Sequence, residues 1–341
     1  MTRYNILVTG ASGEIGHGLI SSLVEQTETC IVAVDLNPPD GMLIRMCHRA
    51  VVGDVLDVEL LDNLNEEYDF DVIYHLAALL STSAERKPQI AHHINVEGTY
   101  NILEMAMEGA KKQGRIIKVL YPSSIAVYGL PNLQVRQSVG RVKENQCCEP
   151  ATMYGANKLY CEHLGRYYSD FYRRLDTEEQ LGGIDFRGLR FPGLISALTV
   201  PTGGTSDYIP EMLHHAAQGK PYSCFVREDG RLPFMVMPDA ITALLQLEAA
   251  PGEKLSRRVY NVTSFNPSAG EFYNRIKDAF PNAAITFEPD AKRQSIVDSW
   301  PADLDDSAAR ADWEWHPAYD LSRALEEYLI PTISQRYQIR V

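Results

Sequence analysis

The sequence predicts an α/β protein: a doubly wound parallel Rossmann sheet carrying a smaller, discontinuous C-terminal substrate-binding lobe. Three observations lead there. Short apolar runs alternate with longer amphipathic stretches over the first 190 residues, a glycine-rich turn follows the first run, and the second run ends in an acid.

Taken in order, the apolar runs predict strands at Asn5 to Thr9, Ile31 to Asp35, Val51 to Val52, Val72 to His75, Ile116 to Tyr121 and Ile184 to Arg190. The stretches between them predict helices at Glu14 to Glu25, Glu59 to Asn65, Ile90 to Lys112 and Met153 to Tyr172. After Phe191 the texture changes, because Pro201, Gly203-Gly204, Pro210, Pro221, Pro233 and Pro238 cut the chain into short pieces. We therefore divide it into 1–190, a dinucleotide-binding domain, and 191–341, mainly a substrate lobe. Returns to the first domain are expected near 237–265: a helix over Met237 to Glu248, started by Pro238 or Asp239, and a strand over Val259 to Thr263.

A chain of 341 residues, 45% hydrophobic, can bury a large core without disulfide staples. Its formal charge of -13 repels phosphate backbones and anionic lipid surfaces, which argues against nucleic-acid and membrane partners. The six cysteines form no CxxC pair, and Cys147 and Cys148 are adjacent, a poor disulfide geometry, so a reducing compartment is expected. MTRYNILVTG runs into a strand with no cleavage site or Arg/Ser-rich presequence, which points to the cytoplasm.

The first turn holds Gly10, Gly13 and Gly16 with Glu14 and Ile15 between the last two. The first glycine permits the turn, the second lets backbone approach a pyrophosphate, and the third packs helix on strand. The helix that follows then turns its free N–H groups and positive dipole end toward the phosphates. The spacing is GxxGxxG rather than GxGxxG, and alone such a turn is often a plain loop. Asp35 supplies the context: a carboxylate at the end of the second strand accepts from the ribose hydroxyls and repels a 2′-phosphate. Leu36-Asn37-Pro38 brings no arginine to reverse this, so NAD is expected over NADP. Asp54 and Val55 follow the third strand, where a side chain can accept from the adenine amino group. Leu76, Ala77 and Ala78 follow the fourth and leave room beside the cofactor, and Asn95 in the next helical stretch completes the set.

Tyr154 and Lys158 lie four residues apart on one helical face. Such pairs arise by accident, but Glu149-Pro150-Ala151-Thr152 marks a helix start, so this phenol sits near a positive dipole end. A tyrosine ionises near pH 10, so a base working near neutrality needs its anion stabilised by several pK units at ~1.4 kcal/mol each. Lys158, the dipole and an oxidised nicotinamide together supply this. Ser124, at the end of the fifth strand, is the expected partner that holds the reacting oxygen.

Gly10 to Gly16, Asp35, Asp54, Ser123 to Gly129 and Tyr154 to Lys158, in this order, resemble the extended short-chain dehydrogenase/reductase superfamily, which includes sugar-nucleotide epimerases and dehydratases. Arg190 to Ser196, Gly203 to Tyr208, Leu232 to Ala240, Tyr260 to Thr263 and Ser299 to Pro301 look like the L-threonine 3-dehydrogenases of that superfamily. The resemblance implies Tyr154 as acid/base, Lys158 as its helper and Ser124 as the polarising hydroxyl. It places Ser81, Ser124, Tyr154, Thr205, Ser206 and Asp207 around L-threonine, and Leu194 against the nicotinamide. It departs at Ser206, where that family commonly carries a second threonine. The implied reaction is NAD-dependent oxidation of the β-hydroxyl to 2-amino-3-ketobutyrate, in a homodimer built from the helices at 90–112 and 153–172.

Two rivals share these residues. A sugar-nucleotide epimerase or dehydratase needs basic groups for a diphosphate; Thr202 to Asp207 offers none, although Arg227 and Arg231 lie nearby in sequence. A non-catalytic NAD sensor has no need of the tyrosine–lysine pair. His92-His93 and His214-His215 are read as packing rather than metal ligands, since neighbouring histidines rarely face one ion. Arg190 is read as a strand-end anchor, and Trp300 as a lobe cap or pocket wall.

Overall fold

The computed structural model describes residues 4–25, 29–176, 181–201 and 203–338. Thr202, at the start of the hydroxyl-bearing segment, lies outside them.

Val72, Ile73, Tyr74 and His75 are all buried, a pattern that needs cover on both faces of the strand. That cover is a doubly wound arrangement. Its seven strands are β1 (Tyr4–Thr9), β2 (Thr29–Asp35), β3 (Arg49–Val52), β4 (Val72–His75), β5 (Ile116–Ser124), β6 (Gly183–Phe191) and β7 (Val259–Asn261). They lie in the order β7-β6-β5-β4-β1-β2-β3, every pair parallel. The order reverses between β1 and β4, and the crevice at such a switch point is where open α/β sheets bind ligands.

The helices that matter to the site are α1 (Glu14–Val24), α2 (Ser81–Arg86), α3 (Gly98–Gln113), α4 (Met153–Asp170), α5 (Tyr208–Ala217) and α6 (Met237–Ala249). One sheet face is covered by Leu19, Ile20 and Leu23 of α1 together with Ala240, Leu244 and Leu247 of α6. The other is covered by Ile102, Leu103 and Ala106 of α3, packed with Tyr121 and Phe186. A third cluster, including Tyr208, Met212, Phe225, Phe272, Val297 and Trp300, gathers the later segments. Two short parallel pairs accompany it, Gly193–Ile195 with Phe234–Val236 and Tyr222–Cys224 with Ile285–Phe287.

The helix α6 packs on the sheet, and its C-terminal end is closed by a buried side chain. Arg187 Nη1 donates to the carbonyls of Leu247 (2.5 Å), Glu248 (2.9 Å) and Ala250 (2.7 Å), and Lys118 Nζ adds a second bond to the Glu248 carbonyl at 2.8 Å.

The stretch read as one helix from Ile90 to Lys112 is interrupted: α-helix over Pro88–His92, π-helix over His93–Glu97, then α3. The wider turn frees the Asn95 carbonyl, which accepts from Thr99 Oγ1 at 2.6 Å and from Cys161 Sγ at 3.3 Å. Such single-turn bulges often accompany functional sites.

Candidate active site

At the end of β1 the chain turns through Gly10, at φ +69°, a region that side chains rarely adopt. A Cβ there would lie 2.6 Å from the Ala77 amide nitrogen, so the turn and the loop after β4 touch backbone to backbone. Gly13 is the N-cap of α1 and supplies no side-chain cap, Glu14 and Ile15 form the first turn, and Gly16 is buried against the Ala11 carbonyl. Ser12 Oγ is buried with no hydrogen-bond partner among the described residues. An uncapped helix N-terminus, a backbone cradle and an unpartnered hydroxyl together fit a dinucleotide pyrophosphate.

Asp35 ends β2 beside this turn. Its Oδ2 accepts from the Ser12 amide (2.9 Å) and its Oδ1 from the Asn37 amide (2.8 Å). The carboxylate therefore ties the glycine turn to the β2 end, and Leu36 next to it is exposed. Asp54 accepts from the Leu56 amide at 3.0 Å, while Val55 is buried against Gly98.

Beneath the crevice runs a buried chain that sequence reasoning missed. Thr9 Oγ1 lies 2.8 Å from His75 Nδ1, and His75 Nε2 lies 3.0 Å from Thr99 Oγ1. Burial first, then the charge of Lys158, pushes the His75 pKa down to about 3, so the imidazole is neutral. Only the polar flanks of an otherwise apolar strand hinted at this. Asn95 accepts from the Leu79 amide (2.7 Å) and donates to the Leu79 carbonyl (3.1 Å), so it fixes the loop carrying Leu76, Ala77 and Ala78.

Thr152 caps α4 through the Gly155 amide (3.1 Å), and Glu85 of α2 accepts from the Met153 amide (2.6 Å). Gly155 lets this first turn press on the Ala126 carbonyl, two residues past Ser124. Tyr154 stands there, partly buried, and desolvation pushes its phenol well above the ordinary value near 10. Lys158 is buried, with Nζ donating to the Pro122 carbonyl at 2.6 Å and lying 5.6 Å from the Tyr154 ring centroid. Desolvation lowers its pKa to about 8. Burial penalises either charge alone, whereas a phenolate beside an ammonium is a neutral pair and escapes most of that cost. Ser124 is partly buried, and its Oγ accepts from the Ala126 amide at 3.1 Å.

The structure also joins segments far apart in sequence. Thr205 Oγ1 lies 3.5 Å from Ser81 Oγ, and Thr82 Oγ1 donates to the Gly203 carbonyl at 2.8 Å. Asp207, read as a substrate contact, spends Oδ2 on the amides of Gly203 (3.0 Å) and Gly204 (2.7 Å), so it shapes the loop that presents Thr205 and Ser206. Arg293 clamps the same loop, donating to the Gly204 carbonyl at 2.8 Å. Leu194 lies on the short strand Gly193–Ile195, partly buried. Trp300 is buried in the third cluster, and Arg190 forms a buried ion pair with Glu162. His214 Nδ1 meets Tyr337 Oη at 2.8 Å, and His215 Nδ1 meets the Pro221 carbonyl oxygen at 3.0 Å, contacts that hold α5 to its neighbours.

The model of the NAD dependent epimerase/dehydratase family matches residues 6–263. The mitochondrial L-threonine 3-dehydrogenase of Bos taurus is 32% identical over 94% of this chain and 80% of its own. A monomeric L-threonine 3-dehydrogenase from a metagenome database superposes with a TM-score of 0.83 at 36% identity, covering 97% of this chain and 99% of that one. An L-threonine dehydrogenase from Clostridium difficile gives 0.85 at 34% identity, over 98% and 99%. With the family match spanning most of the chain and these likenesses running nearly its full length, the protein belongs to the NAD dependent epimerase/dehydratase family.

Proposed function

We propose that this protein oxidises the β-hydroxyl of L-threonine to 2-amino-3-ketobutyrate, with Tyr154 as the general base. The observation that carries the assignment of roles is the pairing on α4: phenol and ammonium share one helical face, and the ammonium is anchored to the β5 carbonyl two residues before Ser124. Near-full-length likeness to L-threonine dehydrogenases in sequence and fold supplies the substrate. NAD, when bound, supplies the hydride acceptor.

The glycine turn and the first turn of α1 hold the pyrophosphate, and Asp35 takes the ribose hydroxyls. Ser124 and Tyr154 bind the β-hydroxyl oxygen. Tyr154 removes its proton while Lys158 stabilises the phenolate, and Ser124 shares the charge that develops on that oxygen. Ser81, Thr205 and Ser206 offer hydroxyls for the ammonium and carboxylate of the amino acid without strong fixed charge.

A sugar-nucleotide substrate loses support from the arginines it would need. Arg227 is forked onto Asp298 at 2.8 and 2.9 Å, and Arg231 reaches Glu271 at 2.5 Å. NADH formation from L-threonine at alkaline pH, set beside L-allo-threonine, L-serine and a UDP-sugar, tests the reading. Turnover of the UDP-sugar alone would return the function to the epimerases. Tyr154→Phe should abolish turnover and leave NAD binding within about twofold; retained turnover removes Tyr154 from the mechanism.

For assembly, Tyr100 of α3 and Tyr160 and Tyr167 of α4 expose aromatic surface on adjoining helices, which supports a homodimer through these faces. The metagenomic relative described as monomeric indicates that the fold does not require one. Light scattering at assay concentration decides it. No described helix is long and apolar enough to cross a membrane. Cys161 and Cys224 are buried thiols in no disulfide, which suits the reducing cytoplasm we assign.

A further inference from the structure

One turn beyond Lys158, the same helix carries Glu162, buried between the ends of two strands. Ser123 of β5 and Arg190 of β6 are register partners across the sheet, so their side chains stand side by side on one face. Glu162 takes both. Its Oε1 accepts from Ser123 Oγ at 2.5 Å and from Arg190 Nε at 2.9 Å, and its Oε2 accepts from Arg190 Nη2 at 2.6 Å. Both side chains of the pair are about 5% exposed. Arg190 Nη1 goes on to donate to Tyr128 Oη (2.8 Å) and the Glu144 carbonyl (2.7 Å). Consecutive turns of α4 therefore reach consecutive residues of β5: Lys158 holds the Pro122 carbonyl, Glu162 holds the Ser123 hydroxyl, and Ser124 comes next.

We propose that Glu162 and Arg190 are positioning residues: they pin α4 to the ends of β5 and β6, aligning Tyr154 with Ser124, and they present no net charge to Lys158. The inference rests on the base assigned to Tyr154 above. A buried bidentate pair is an expensive way to hold a helix, since apolar packing serves as well. Its presence here has an electrostatic reason. A lone carboxylate one turn from Lys158 would draw on the ammonium's field, and a lone guanidinium would add to it; paired, they leave that field for the phenol.

The groups packed around the pair do not blur this. Burial raises the thiols of Cys148 and Cys161 and the phenols of Tyr121 and Tyr128, keeping all four protonated, and His75 is neutral. The Glu144 carboxylate is taken by Arg257 at 2.8 Å and the Asn261 amide at 3.1 Å. Glu162 is the charge left between Lys158 and Arg190, acting on Lys158 on one side and paired with Arg190 on the other.

The test is the Lys158 titration, followed by NMR on protein labelled with 15N-lysine and assigned with Lys158→Met, beside the pH profile of kcat. Glu162→Gln should lower the Lys158 midpoint, and Arg190→Gln should raise it, each by about half a pH unit or more. The acid limb of kcat should move in the same two directions. Shifts of one sign, or none in folded variants, overturn the proposal. Should either single variant not fold, the neutral double variant Glu162→Gln/Arg190→Gln takes its place. Its midpoint should match the wild type, and displacement by more than half a unit overturns the charge balance. Ser123→Ala alters no charge and should cut kcat several-fold with the midpoint and NAD affinity unmoved; unchanged kcat overturns the alignment role. Failure of wild-type protein to oxidise threonine refutes the proposed function and not the charge balance at Lys158, because the titration is read without turnover.

Discussion

Gly10→Ala separates the two demands that the first turn makes on its residue. At φ +69° an alanine costs about 1–2 kcal/mol in backbone energy. Its Cβ would also lie 2.6 Å from the Ala77 nitrogen, where ordinary contact begins at 3.4 Å, so turn and loop must part by about 0.8 Å. Overpacking of that kind costs about 1–3 kcal/mol more, for a sum of about 2–5 kcal/mol. With an unfolding entropy of about 2.1 cal/mol/K per residue over 341 residues, Tm should fall by about 3–7 °C. The displaced backbone would lose one charge-assisted hydrogen bond to pyrophosphate, weakening NAD binding by about ten- to a hundredfold. Gly114 is the control, because its φ is +63° and a Cβ there meets nothing within 4 Å. Gly114→Ala should cost only the backbone part, about 1–3 °C, with NAD affinity unchanged. Calorimetry and NADH fluorescence titration give both quantities. Equal losses of Tm in the two variants, or full NAD affinity in Gly10→Ala, would refute the close-approach argument.

Asp35→Ser should narrow the preference for NAD over NADP by at least about tenfold in kcat/KM, since the group that repels a 2′-phosphate is gone; an unchanged ratio removes Asp35 from cofactor choice. His75 ties stability to pH in a defined direction. The unfolded chain takes up its proton below about pH 6.5, and the folded protein does so only near the buried value of about 3, so stability falls as pH drops through that window. The loss is about 1.4 kcal/mol per unit, or about 2 kcal/mol by pH 5. His75→Gln should shrink the difference between urea unfolding at pH 7 and pH 5 by that amount, and an undiminished difference would show that other groups govern it.

Much of the fold was readable in the chain because a parallel sheet writes itself locally. Strands covered on both faces must be continuous apolar runs, and β1, β2, β4, β5 and β6 fall within a few residues of the runs that announce them. The strand over Val259–Asn261 was legible for the same reason, and the helix over Met237–Ala249 from the proline at its first turn. The π-turn at His93–Glu97 was not: Thr99 reaches back to the Asn95 carbonyl within the same stretch, but Cys161, the other donor to it, arrives only once α3 and α4 pack.

The site divides along the same line. The glycine turn, Asp35, and the Tyr154–Lys158 spacing are matters of neighbours in sequence, set by backbone freedom and helical period, and the sequence by itself determined them. That Ser81 meets Thr205, and that Glu162 spans Ser123 and Arg190, depended on residues 28 to 124 positions apart. Only the tertiary structure decided these. A hydrogen bond is specific over about 3 Å, and no pattern along a chain encodes which distant polar groups will be brought that close when the apolar faces close over them.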